Sequence, residues 1–310
     1  MSKIFVLTCL ALALLCCPTH AQHLADAEFN AAVAKPAYTK NGPRMMFDEA
    51  HYNYHTSTER YKPFVDLLSN DGYRVVRNRE PFTKKALETF KVLVIVDALA
   101  DDIDEAGADK PAFTPEEVTV VRDWVRSGGA LLLVADVGPF ANAAAPLSSQ
   151  FGVEMAGRLI KDSANAASEG RSDLIVYSRD NHLLLSHPIT QGRGPEETLK
   201  KVIVFSGQSL KGPDNAFGFL KLADSAVEVN DESAGADGGE QKTQVTARSQ
   251  GLALKLGNGR VVVLADAEML TALLGEPPEK EPIGMNYQGS DNKQFTLNVV
   301  HWLSGLLSEK

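Results

Sequence analysis

From Arg44 onward the chain alternates short apolar runs with amphipathic stretches, and this rhythm predicts an α/β protein. Met45-Met46-Phe47 is a short strand candidate, Tyr73 to Val76 reads as a second, and Val92 to Val96 as a third that is buried throughout. Between the first two, Tyr61, Phe64 and Leu68 share one helical face, and Gly72 is placed to close that helix. The clearest helix starts at Thr114, with Thr114 as N-cap, Pro115 in the first turn and Glu117 completing a capping box. Val118, Val121 and Val125 form its buried stripe, and Gly128-Gly129 ends it before the apolar strand Ala130 to Ala135. Strands apolar on both faces and separated by helices indicate a mostly parallel sheet covered on both sides.

Past Gly152 the rhythm loosens. Residues Gly157 to Lys200 read as an insertion of polar loops, with His182 inside it and His187 before Pro188 as a turn residue. Strands resume at Val202 to Phe205 and near Phe217 to Leu222, and Asp224 to Gln244 is an acidic, Gly/Ser/Ala-rich stretch expected to be a mobile surface loop. Leu252 to Leu256 and Arg260 to Ala265 flank Gly257-Asn258-Gly259, whose Asn-Gly pair predicts a C-terminal hairpin. A last helix begins near Asp291, with Phe295, Val299, Trp302, Leu303 and Leu306 on one stripe and His301 on its surface. There is no internal repeat. One domain over residues 44–307 fits best, preceded by an extended lead-in over residues 22–43.

The first 21 residues change the picture of where the protein goes. Lys3 is their only charge, Ile4 to Cys17 is almost wholly apolar, and Thr19-His20-Ala21 offers a small-residue cleavage site. This predicts a secretory signal peptide over residues 1–21 and a periplasmic or secreted product, because the run is too short for a span of roughly 20 apolar residues. No later stretch is apolar for long enough to span a membrane. Cys9, Cys16 and Cys17 all lie in that segment, so the expected mature protein has neither a disulfide nor a thiol nucleophile. Taking Lys3 from the 31 basic residues leaves 30 against 40 acidic ones, a charge of −10 that disfavours nucleic acid and anionic membrane surfaces.

The candidate chemistry lies in acids that directly follow strands: Asp48 and Glu49, Asp97, Asp136 and Asp266. In an open α/β sheet, ligands bind beyond the carboxyl ends of the strands, although an aspartate there also caps the next helix. The densest stretch is Asp48-Glu49-Ala50-His51-Tyr52-Asn53-Tyr54-His55. It could ligate a divalent metal or act as acid and base, but its Glu-x-x-His order is not the His-Glu-x-x-His of zinc helices. The alternative is that these side chains tie the loop down. Ser206-Gly207-Gln208-Ser209 lacks the Gly-x-Ser-x-Gly elbow, and no phosphate-cradling glycine loop occurs, so no nucleotide cofactor is expected.

The segment Phe113 to Gly138, a helix ending in Gly-Gly that feeds a buried strand, resembles the class I glutamine amidotransferase-like superfamily. That resemblance implies a doubly wound, flavodoxin-like sheet, and it places Asp136 near the turn where such enzymes carry a catalytic cysteine, which removes the glutaminase reaction. Phe47-Asp48-Glu49-Ala50-His51, His187-Pro188-Ile189-Thr190 with Gly192, the strand ending Arg260-Val261-Val262-Val263-Leu264, and the Asp291-to-Leu303 helix are similar to exported bacterial members of unassigned function. Those members are related to trehalose-utilisation and gliding or intraflagellar-transport domains. Relatives with a metal-like site often carry histidine near the fourth-strand turn, where this chain has Val137.

Two functions are in view. The first is a non-catalytic domain that binds a small polar ligand, a glycan or a partner protein through Asp48, Glu49, His51, Tyr52, Asn53, His55, Asp136 and Asp266, with no cofactor. The alternative is a metal-assisted hydrolase with Glu49 or Asp136 as base, and His51 and His55 holding a divalent metal that activates water.

Overall fold

The computed structural model describes residues 23–229, 242–275 and 280–308, so the segment expected to be a signal peptide and the centre of the acidic stretch lie outside the described residues. The expected elements form in sequence order: β1 (Arg44–Asp48), α1 (Lys62–Asn70), β2 (Arg74–Asn78), β3 (Val92–Val96), α2 (Pro115–Arg126) and β4 (Ala130–Val134). After them come α3 (Pro139–Ser149), β5 (Leu174–Ser178), β6 (Lys201–Phe205), β7 (Phe217–Lys221), β8 (Ser249–Leu256), β9 (Gly259–Leu264) and α4 (Asn292–Ser304).

The central sheet runs β2-β1-β3-β4-β9-β8, and β7 pairs with β8. The first five strands in that order are parallel, and β8 closes antiparallel on β9. Alternation along each parallel strand divides the interior in two, because successive side chains leave opposite faces. Val92, Val94, Val96, Leu132 and Val262 join Phe64 of α1 and Phe295 and Trp302 of α4. Leu93, Ile95, Leu131, Leu133 and Val263 join the Val118, Val121 and Val125 stripe of α2 and Leu147 of α3. The sheet is therefore mostly parallel with helices on both faces, and all the parallel strands end on the same rim.

The local signals hold where they carry a mechanism. Thr114 and Glu117 make the reciprocal capping box, and Gly72 takes φ +94 after α1, a conformation only glycine adopts freely. The hairpin forms between β8 and β9, and its loop is the two residues Gly257-Asn258, with Gly259 already paired in β9. Leu256 pairs with Gly259, and Gly257 takes the positive φ at the first loop position, as in a type II′ turn. Gly259 is a glycine for a different reason: a Cβ there would lie 1.9 Å from the Val125 carbonyl oxygen.

Other expectations are corrected. His301 is fully buried, with Nε2 2.6 Å from Asp71 Oδ2, because α4 is covered on nearly all sides, by the sheet on one and by α1 and the short helix Pro188–Gln191 on others. Leu306 lies beyond α4 and is exposed. The lead-in is less open than its composition predicts: Leu24–Ala25 pairs with Ala272–Leu274, and Phe29, Val33 and Tyr38 pack on the core. The acidic stretch is anchored at both ends, where Val227–Val229 pairs with Lys242–Gln244 and with Leu159–Lys161. Helix α3 gives little periodic signal because it is alanine-rich and contains Pro146; Pro139 at its first turn is the sequence mark it leaves.

Candidate functional site at the strand ends

Each strand-end acid first serves the backbone. Asp97 Oδ1 accepts from the Asp136 N–H at 2.9 Å, and Asp136 Oδ1 accepts from the Ala267 N–H at 2.6 Å. Asp266 Oδ2 accepts from the Phe205 N–H at 2.8 Å and the Met269 N–H at 3.2 Å, while its Oδ1 takes the Glu268 N–H. The carboxylates thus run as a relay across β3, β4 and β9, each pinning the segment beyond the next strand. This satisfies backbone donors that the ends of parallel strands would otherwise leave open. It also packs negative charge closely. Burial and the neighbouring charges of Asp97, Asp266 and Glu268 push the Asp136 carboxyl well above the usual carboxylate range. Burial and the charge of Glu268 do the same to Asp266.

The eight-residue loop after β1 divides into two arrangements. In the first, His51 sits between two acids, with Nδ1 2.8 Å from Asp48 Oδ2 and Nε2 3.0 Å from Glu117 Oε1. Its ring packs against both Phe82 and Phe113, at centroid distances of 4.8 and 4.7 Å. Burial opposes the imidazolium, but the hydrogen bonds and charges of Asp48 and Glu117 outweigh it and hold His51 above its ordinary value. Glu117 is also buried, yet N–H groups of Phe82 and Thr114, together with His51, hold its carboxyl below the ordinary value. Asn53 completes the knot by donating to Asp48 Oδ2 and to the Val96 carbonyl while accepting from the His51 N–H. Glu49 accepts from Ser57 and faces Arg79 at 3.4 Å. Tyr52 is mostly exposed, with φ +42.

The second arrangement holds His55. Its Nε2 lies 3.2 Å from Asp97 Oδ2, and both residues are buried. Among the described residues, neither Asp97 Oδ2 nor His55 Nδ1 has a hydrogen-bond partner. Asp97 takes φ +43 immediately after β3, a left-handed conformation costly for a residue with a Cβ. One ligand atom each from His55, Asp97 and Asp136 can be chosen so that all lie within 4.8 Å of one another, close enough for small side-chain shifts to bring them onto one cation.

Two clefts meet over this second arrangement. One, of about 550 Å³, is lined by Asp136, His23, Arg171, Phe205, Ser206 and Glu268 among others. A smaller one of about 190 Å³ brings Tyr54, His55 and Arg60 to the same Asp136 and Glu268. The Arg60 guanidinium stacks 4.2 Å above the Tyr54 ring at its edge. Of the eight residues marked from the sequence, His55 and Asp136 line these clefts, Asp266 holds the backbone of Phe205 and Glu268 that line them, Asp48, His51 and Asn53 form the neighbouring knot with Glu117, and Glu49 and Tyr52 line neither cleft. Sequence reasoning noted Asp97 as a strand-end acid without carrying it into the site. It missed Glu268 and His23, since only contact across the fold brings them to Asp136.

Neither a family model nor a curated protein matches this sequence. Solved structures do. The mmIFT52 N-terminal domain superposes with a TM-score of 0.57 at 15% identity, over 84% of this chain and 97% of that one. A cytoplasmic protein from Salmonella typhimurium LT2 gives 0.49 at 14% identity, over 85% and 99%. A ThuA-like protein from Parabacteroides merdae gives 0.45 at 12% identity, over 87% and 93%. At such identities the first likeness shows a shared α/β fold and nothing about ligand or chemistry.

Proposed function

We propose that the protein is an exported binding domain of the glutamine amidotransferase-like, flavodoxin-like kind, which holds a small polar ligand such as a glycan in the cleft at the ends of β4 and β9. The observation that carries this reading is the composition of the 550 Å³ cleft. Carboxylates (Asp136, Glu268), a guanidinium (Arg171), a hydroxyl (Ser206) and an aromatic wall (Phe205, Phe140) surround one hollow. Polar groups converging on a concave, partly apolar surface fix the orientation of a polyhydroxylated ligand. The parallel strand order β2-β1-β3-β4-β9 and the position of the hollow at the carboxyl ends agree with where ligands bind in this class of sheet.

The alternative, metal-assisted hydrolysis with His51 and His55 as a ligand pair, has less in its favour, since both His51 ring nitrogens face carboxylates. The test is a thermal-shift screen of the tag-free protein against neutral and acidic glycans and cell-wall fragments. At least one class should raise the melting temperature by several degrees, and Arg171→Ala should remove the gain. If every ligand leaves the melting temperature unchanged, the binding reading fails.

A further inference from the structure

We infer that His55, Asp97 and Asp136 form a site for one divalent first-row metal ion at the inner end of the cleft, with its remaining coordination positions open to that cleft. The inference deepens the binding reading and rests on it for the cleft alone. Three observations carry it. The three residues bring ligand atoms within 4.8 Å of one another. Two ligands held at about 2.1 Å from an ion in tetrahedral array lie about 3.4 Å apart, and His55 Nε2 and Asp97 Oδ2 are 3.2 Å apart.

The second observation is a buried carboxylate oxygen that faces the His55 ring without hydrogen-bond geometry. Asp97 is fully buried; its Oδ1 takes the Asp136 N–H, but among the described residues its Oδ2 has no hydrogen-bond partner, although it faces the imidazole at 3.2 Å. Leaving a buried carboxylate oxygen unpaired is costly unless a donor or a cation answers it. The third is backbone strain at the same residue: a φ of +43 holds the Asp97 side chain beside His55, where an extended strand would not require it.

The donor set selects the class of ion. One imidazole with two carboxylates suits zinc, manganese or cobalt, whereas three protein donors are too few for calcium, which takes six to eight oxygens. His51 is not part of the site, since both its nitrogens face Asp48 and Glu117. The absence of histidine beside Asp136 does not weaken the assignment either, because His55 reaches the position from the β1 loop.

The experiment uses tag-free protein stripped with a chelator, then loaded with Zn²⁺ or Co²⁺ alone and dialysed. One ion per chain should be retained, the melting temperature should rise, and Co²⁺ should give the visible absorption of a low-coordinate site. Asp97→Asn, which keeps the acceptor for the Asp136 N–H and tolerates a positive φ, should weaken binding by at least about 100-fold, as should His55→Asn. If the wild-type protein retains no ion, or if both variants bind as tightly as wild type while folded by circular dichroism, the inference is overturned. Stabilisation by a glycan in chelated protein, without metal retention, would sink this inference and leave the binding reading standing. One retained ion with no ligand response would do the reverse.

Discussion

Two histidines four residues apart on one loop meet opposite circumstances. His51 has an acid on each ring nitrogen and packs against two aromatic rings. His55 is just as buried, yet among the described residues its Nδ1 has no hydrogen-bond partner, and its Nε2 lies 3.2 Å from an aspartate oxygen without hydrogen-bond geometry. A network in which every polar atom is answered holds a loop in place. One in which buried atoms remain unanswered has capacity for something else. The same residue type at the same depth therefore separates the anchor of the loop from its chemistry.

The largest effect expected from breaking this contrast is on stability. His51→Ala should cost about 3–5 kcal/mol in chemical denaturation, since it strands two buried carboxylates. His55→Asn, compared without metal, should cost clearly less, and equal losses at the two positions would mean that the distinction is wrong.

A smaller effect is pH dependence. His51 is held above its ordinary value in the folded state, so its contribution is complete below about pH 6.5 and is lost as the pH rises through the folded value. Glu117 is held below its ordinary value, so its contribution is present above about pH 4.3 and is lost as the pH falls through the folded value. The stability difference between wild type and His51→Gln should accordingly shrink on the alkaline side, and a flat difference across that range would refute the clasp.

The smallest effect concerns Tyr52, which lies between the two arrangements in a left-handed conformation with its ring exposed. Tyr52→Gly should stabilise the protein slightly, by up to about 1 kcal/mol, by relieving that conformation. A loss of stability would show that the ring makes contacts worth more than the strain.

How much of this was legible beforehand follows from the range of each interaction. The Thr114–Glu117 box, the Val118-Val121-Val125 stripe and the buried runs of β3 and β4 are local patterns, and they form as their periodicity predicts. The turn expected over Gly257-Asn258-Gly259 is one residue shorter, because a two-residue loop is fixed by the register of β8 on β9 and not by the turn residues alone. Within the site, the loop from Asp48 to His55 stood out by density, yet nothing local divides it. Glu117, 66 residues after His51, and Asp97, 42 after His55, make the division, and both partners arrive through the parallel order of the sheet. His301 was misjudged for a related reason: the acid that receives it, Asp71, lies 230 residues earlier.

The relay of carboxylates across the strand ends also bears on how this rim can be altered. Each of Asp97, Asp136 and Asp266 pins a peptide belonging to a neighbouring segment, so exchanging one loosens the seat of the next. Attempts to retune selectivity should therefore leave these three in place and vary Tyr54, Arg60, Arg171 and Glu281, which border the hollows without holding the strand ends together.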